Sequence, residues 1–263
     1  MSLEGRRVLV TRAAEQSSEL AEALAKCGAE PVLVPTIAIV PPPSFAELDR
    51  ELAGLDRIDY LLLTSANAVE AFFDRLAALG LDASALDHMQ TVVVGPKSAS
   101  ALSARGVTAD LVPEDFRAEG VVELLRDKVF GKRLLYPQAA LARDLIPTEL
   151  RTAGAEVIAP IAYASKVPDD AAGKLHCAIA EGLDLLTFTA SSTVKNFVKL
   201  LSANDLALAR QVPVASIGPL TSKTARELGF NVAVEPASST LDDLLEAIES
   251  FFVKANDQTR TSL

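Results

Sequence analysis

Cysteine and histidine are nearly absent from this chain: Cys27 and Cys177, His88 and His176 are all that 263 residues contain. Two cysteines exclude a disulfide framework and a cysteine-based zinc site. Two histidines leave little from which to build a catalytic metal cage, so no metal is expected. Cys27 reads as core and Cys177 stays open, with no neighbouring base to activate either. No apolar run approaches the ~18–20 residues of a membrane span. A strand that begins by residue 7 leaves no room for a signal peptide. The chain is therefore expected to be soluble and cytoplasmic, with no membrane partner. The GxGxxG, Walker A, GxSxG and HExxH signatures are all missing, which removes the reactions they carry. Basic charge is scarce too. A net charge of −10 argues against nucleic acid as a partner, which would want a basic face. It still permits an anion held locally by backbone N–H groups.

What is present is a globular composition, 49% apolar, and a sentence written twice. Asp59-Tyr-Leu-Leu-Leu-Thr-Ser-Ala-Asn-Ala-Val-Glu-Ala-Phe72 returns as Asp184-Leu-Leu-Thr-Phe-Thr-Ala-Ser-Ser-Thr-Val-Lys-Asn-Phe197, at an offset of 125 (59 to 184). Gly5-Arg-Arg-Val-Leu returns as Gly131-Lys-Arg-Leu-Leu and Gly28-Ala-Glu as Gly154-Ala-Glu, both at 126. Val94-Gly-Pro96 returns as Ile217-Gly-Pro219, at 123. Anchors at one near-constant offset mark an internal duplication.

Within each copy, short apolar runs alternate with helically spaced ones, the pattern of βαβ units and parallel sheets. Strands are expected at 7–11, 30–35, 59–63, 91–96, 109–113, 131–136 and 156–160. Helices are expected at 17–27, 45–55 (with Ser44 as N-cap), 67–79, 97–104, 120–129 and 142–153. Three consecutive prolines keep 36–43 extended. The 59–129 segment passes to 131–160 through one or two residues, whereas 36–58 and 161–183 are connectors of 23 each. Short connections join neighbours in one sheet. Residues 42–160 should thus form one continuous domain, and 1–36 with 168–255 a discontinuous one. Residues 37–41 and 161–167 would be linker strands crossing side by side, and 256–263 a disordered tail. Each domain is expected to hold five parallel strands in a doubly wound, flavodoxin-like α/β sheet.

Ligands of such sheets sit beyond the carboxyl ends of the strands. The residues there are rich in hydroxyls: Thr11 and Arg12; Thr64, Ser65 and Asn67; Gly95 and Ser98; Thr189, Ser191 and Ser192; Gly218 and Thr221. Free amides and a positive helix end suit a carboxylate or phosphate. The plainer alternative is that these are N-caps, worth about 1 kcal/mol each. Both histidines read as structural or surface residues. Tyr163, in the second connector, leaves two roles open: a phenol presented to a ligand, or a ring packed on the linker.

Val8-Leu-Val-Thr-Arg12, Leu62-Leu-Thr-Ser-Ala-Asn67, Val93-Val-Gly95, Ile161-Ala-Tyr163, Leu186-Thr-Phe-Thr189 and Ile217-Gly-Pro219, in that order, resemble the uroporphyrinogen-III synthase family. The resemblance covers roughly residues 5–250. It implies an enzyme of two α/β domains joined by a two-stranded linker. Such an enzyme closes hydroxymethylbilane to uroporphyrinogen III, inverting the last pyrrole ring and losing water, in tetrapyrrole biosynthesis. It implies no metal or organic cofactor, and substrate carboxylates held largely by backbone N–H groups. Carried over by position, Tyr163 would assist departure of the hydroxyl. Thr64, Ser65, Ser98 and Thr221 match binding hydroxyls, and Arg12 and Arg143 match basic positions for carboxylates. The family often has Ser-Pro after the second Phe-Thr, where this chain has Ala190-Ser191, so Ser191 or Ser192 would substitute. Nothing demands more than a monomer. A two-lobed small-molecule binding or sensor protein, closing without chemistry, would share the architecture; analysis of the product separates the two.

Overall fold

The computed structural model describes residues 3–261. In chain order the elements are β1 (Arg7–Val10), α1 (Ala14–Lys26), β2 (Glu30–Leu33), β3 (Ala38–Val40), α2 (Ala46–Leu52), β4 (Tyr60–Leu63), α3 (Ala66–Ala78), β5 (Gln90–Val93), α4 (Gly95–Ala104), α5 (Ala118–Leu125), β6 (Arg133–Leu135), β7 (Gln138–Ala139), α6 (Leu145–Thr152), β8 (Glu156–Ile158), β9 (Ile161–Lys166), α7 (Ala171–Ala180), β10 (Leu185–Phe188), α8 (Ser191–Leu200), α9 (Ala203–Ala209), β11 (Val214–Ser216), α10 (Pro219–Glu227), β12 (Val232–Val234) and α11 (Leu241–Thr261). Ile39–Ser165 forms one compact unit; the chain through Ala38 and from Lys166 forms the other. Among the described residues no helix is long and apolar enough to cross a membrane.

The unit built from the two chain ends holds a five-stranded sheet in the order β12-β11-β10-β1-β2, every pair parallel. Its central strands are buried on both faces, as parallel strands covered by helices must be. Alternate side chains divide between two cores. Leu9, Leu186 and Phe188 pack with Phe197 and Phe230 on one face. Val8, Val10 and Leu185 pack with Leu20, Leu24 and Ile248 on the other.

The Ile39–Ser165 unit holds a four-stranded parallel sheet, β5-β4-β6-β8. Leu61 and Leu63 of β4 face the α3 stripe of Val69, Phe72, Phe73 and Leu76, whose spacing puts all four on one side of the helix. Tyr60 and Leu62 face Val121, Leu125, Leu134 and Tyr136 on the opposite side. Each such fully buried side chain contributes roughly 1.5–3 kcal/mol. A further sheet has the order β3-β9-β7, with β7 and β9 parallel.

Three expectations need correction. The fifth strand expected at 109–113 reduces to a single bridge, Val92 to Leu111. The Asp110 carboxylate takes the Thr91 N–H at 2.7 Å and the Thr91 hydroxyl at 2.9 Å. Pro113 then offers no donor to extend a ladder. The N-cap of α2 is Phe45 rather than Ser44, whose Oγ accepts from Ala46 N–H at 3.1 Å. The tail expected to be disordered from 256 continues α11 through Thr261; 253–261 contains no proline or glycine to stop it. Residues 262–263 of that tail lie outside the described residues.

The amino ends of both sheets carry one pattern of bonds. Asp184 accepts from Arg7 N–H at 2.9 Å and from the Arg6 guanidinium at 2.9 Å. Asp59 accepts from Arg133 N–H at 2.8 Å and from Lys132 Nζ at 2.8 Å. The bond from Lys132, then that from the Arg133 backbone, holds the Asp59 carboxyl below its ordinary range. A depressed folded pKa gives stability that is present above the unfolded pKa and lost as pH falls through the folded one. Asp59→Asn is therefore expected to flatten the fall in melting temperature below about pH 4. Parallel acid profiles for the two proteins would contradict it.

Candidate active site

The carboxyl end of β4 runs directly into α3. Ser65 is the N-cap, its Oγ accepting from Ala68 N–H at 3.1 Å. The same oxygen lies 3.0 Å from the Tyr163 hydroxyl, and Thr64 Oγ1 lies 3.4 Å from the Tyr136 hydroxyl. Strand alternation explains the separation into two pairs. Thr64 continues the side of the sheet on which Leu62 meets Tyr136, and Ser65 the side on which Leu63 meets Tyr163. Tyr163 is held from β9, whose carbonyl at that residue accepts from Ala140 N–H at 2.9 Å. Its ring packs partly on the α3 core while its hydroxyl reaches the joint. Burial pushes the Tyr136 phenol up in pKa; the Thr64 bond opposes this and nearby Tyr163 adds to it.

Asn67 is half-buried in the first turn of α3. Gly95 opens α4 with φ of +79°, the left-handed region that favours glycine, and the Phe116 ring lies 3.6 Å from where its Cβ would stand. Ser98 is buried one turn on. Arg143 is exposed between β7 and α6, and no hydrogen bond among the described residues joins it to these hydroxyls.

In the other unit, the Thr11 hydroxyl is fully buried and donates to the Thr187 carbonyl at 2.8 Å, so its proton serves the sheet. Arg12 follows it. Its Nε and Nη1 are buried without a hydrogen-bond partner among the described residues. Burial lowers the guanidinium pKa, against a smaller opposing pull from Glu19. Thr189 leads from β10 into α8, where Ser191 Oγ donates to the Leu220 carbonyl at 3.2 Å and Ser192 is exposed. Gly218 precedes α10 in extended backbone; a Cβ there would run into Ser239 Oγ. Thr221 and Ser222 are buried in the first turns of α10, and the Ser222 hydroxyl has no partner among the described residues.

Of the candidate hydroxyls at these joints, Ser65 alone caps a helix. The helices α1, α4, α8 and α10 begin after Ala13, Val94, Ala190 and Gly218, none of which makes a side-chain cap bond. Their first N–H groups and positive dipole ends are left for another acceptor. Sequence reasoning missed Tyr136 and Ser222. Tyr136 ends an apolar strand, where a tyrosine reads as core, and Ser222 lies one residue beyond the joint. Position at a strand's carboxyl end is the signal that would have found Tyr136. His88 donates from Nε2 to the Leu55 carbonyl at 2.9 Å, and His176 Nδ1 pairs with Asp205 at 3.1 Å. Both stand apart from the strand-end hydroxyls.

Residues 18–246 match the family described as "Uroporphyrinogen-III synthase HemD". The uroporphyrinogen-III synthase of Synechococcus elongatus is 42% identical over 258 residues, covering 95% of this chain and 96% of that one. The porphyrin biosynthesis protein HemD of Ruminiclostridium josui is 32% identical over 94% of this chain, which spans 48% of that longer protein. A crystal structure of a mutant uroporphyrinogen III synthase from the extremely thermophilic bacterium Thermus thermophilus superposes with a TM-score of 0.63 at 22% identity, covering 95% of this chain and 100% of that one. It shares the fold. A matching segment that takes in most of both units, and near-full-length identity to a synthase, settle the question of kinship: this chain belongs to the uroporphyrinogen-III synthase family.

Proposed function

We propose that the chain performs the reaction of its family with the strand-end residues named above. It closes hydroxymethylbilane to uroporphyrinogen III, inverting the terminal ring and releasing water. The observation that carries the site assignment is that, of the five helices following directly on β1, β4, β5, β10 and β11, four (α1, α4, α8 and α10) start without a side-chain cap, as α2, α5, α6 and α7 do elsewhere in the chain. A substrate decorated with carboxylates is the ligand such amides suit. Thr64, Ser65, Asn67, Gly95 and Ser98 take arms in one unit, and Arg143, exposed between β7 and α6, is the basic residue assigned to a carboxylate there. Arg12, Thr189, Ser191, Ser192, Gly218 and Thr221 take arms in the other, with Thr11 holding the sheet end in place. Holding a flexible chain in a reactive geometry supplies up to roughly 7–11 kcal/mol.

Tyr163 supports the chemical step. Its phenol gives its proton to the departing hydroxyl as the carbon–oxygen bond breaks, water leaves, and the proton released in the last step returns to the phenolate. The remaining azafulvene cation is attacked by the substituted carbon of the terminal ring. The spiro intermediate fragments and recloses with that ring turned, and loss of a proton restores the pyrrole.

The chain is also read as an internal duplication whose halves are joined through β3 and β9. The support is detailed. The amino-end clamp of Asp184 on Arg7 is repeated by Asp59 on Arg133. Arg7–Glu30 is repeated by Arg133–Glu156, and Gly5 N–H to Gly28 O by Gly131 N–H to Gly154 O, both at 3.0 Å. Chromatographic analysis of the isomers formed from fresh hydroxymethylbilane tests the function. Dominant type III product is expected; type I alone, at the spontaneous rate with folded protein, would sink it.

A further inference from the structure

The sheet order β5-β4-β6-β8 reverses between β4 and β6: the chain leaves β4 toward one edge and β6 toward the other. Ligand sites of open parallel sheets form at that switch point. Two tyrosines reach it from different strands. Tyr163 meets Ser65, and Tyr136, at the end of β6, meets Thr64. Tyr136 is 4% exposed, with its ring in the core beside Leu62, Leu134 and Ile146. A phenol buried this far is costly unless its hydroxyl is bonded. Burial also favours the neutral phenol, which has a proton to give, and in the Tyr136–Thr64 pair either hydroxyl can be the donor.

Resting on the function proposed above, we propose that Tyr136 is a positioning residue for the cyclisation: its phenol donates to Thr64 Oγ1 and so turns the Thr64 proton outward, to a carboxylate arm of the substrate. A hydroxyl has one proton to give. With its oxygen occupied by Tyr136, Thr64 becomes a directed donor instead of a rotor. The 3.4 Å contact is long for a hydroxyl pair and is expected to shorten when the arm draws on Thr64. Tyr136 touches no substrate atom in this arrangement. It acts through Thr64, while Tyr163 acts through the departing hydroxyl.

The test compares Tyr136→Phe, Thr64→Val and the double variant in initial rates of type III formation. A directed bond to a charged group is expected to show as about a tenfold rise in KM with kcat changed by less than about twofold. The double variant should be no worse than Thr64→Val, because both changes remove one interaction. Tyr136→Phe with wild-type KM would overturn the inference. So would a loss in kcat alone, or effects that multiply in the double variant. Should Tyr136→Phe melt markedly lower, Thr64→Val and Thr64→Ser decide instead. Thr64→Ser, which keeps the hydroxyl, must recover most of the KM rise of Thr64→Val, and a wild-type KM in Thr64→Val overturns the inference. A wild-type chain making no type III isomer would sink the function and this inference together. An active wild type with an unaffected Tyr136→Phe sinks the inference alone.

Discussion

Tyr163→Phe is expected to lower kcat for type III formation by roughly 10²-fold, the lower end of what a positioned proton donor supplies. The prediction is specific because the substitution removes one atom. The ring stays packed on the α3 core, and Ser65 keeps its cap bond to Ala68 N–H, so the fold and the joint remain. What disappears is the hydroxyl 3.0 Å from Ser65 Oγ, the donor assigned to the departing hydroxyl. Because the substrate also closes unaided to the type I isomer, the slowed enzyme should yield a larger share of type I. Initial rate and isomer ratio, taken from one time course, check both consequences. A variant with wild-type rate and ratio would return Tyr163 to a packing role.

Arg12→Met is expected to act in opposite directions on stability and on binding. In the free protein the Arg12 Nε and Nη1 are removed from water and have no hydrogen-bond partner among the described residues. The lowered guanidinium pKa reflects the same cost. Replacing a buried charge by an apolar side chain of similar length is often stabilising, and a gain of about 1 kcal/mol is expected here. The same change removes a charge-assisted, forked donor for carboxylate, so KM should rise by roughly 10–100-fold. Thermal melting and steady-state kinetics on one preparation give both numbers. A lower melting temperature with an unchanged KM would show that the guanidinium supports the fold and meets no substrate.

Much of this architecture was legible in the residues, and the failures share a cause. The run Asp59 to Phe72 foretold β4 and α3 because its apolar residues are continuous in the strand and fall on one stripe in the helix. The same grammar at Asp184 to Phe197 gave β10 and α8. The segment 109–113 has the same apolar look, yet Asp110 uses its carboxylate on Thr91 where a ladder would have formed. Side-chain competition with the backbone leaves little trace in hydropathy. The strand-end hydroxyls were legible as a group but not one by one. Thr11 turned inward to Thr187, Ser65 became a cap, and Ser191 tied itself to the carbonyl of Leu220. Which of these a hydroxyl does depends on what another strand or helix places beside it. Tyr136 escaped notice for the same reason, since its partner Thr64 lies 72 residues away in sequence.

The measurement that tests the central claim most directly is a titration of the 15N-labelled chain with uroporphyrinogen III, followed by backbone amide resonances. If uncapped helix starts hold the carboxylate arms, the largest shifts will fall on Gly95, Lys97 and Ser98, on Ser191 and Ser192, and on Leu220 and Thr221. Small shifts there, with the large ones at the amino ends of the sheets around Asp59 and Asp184, would contradict it.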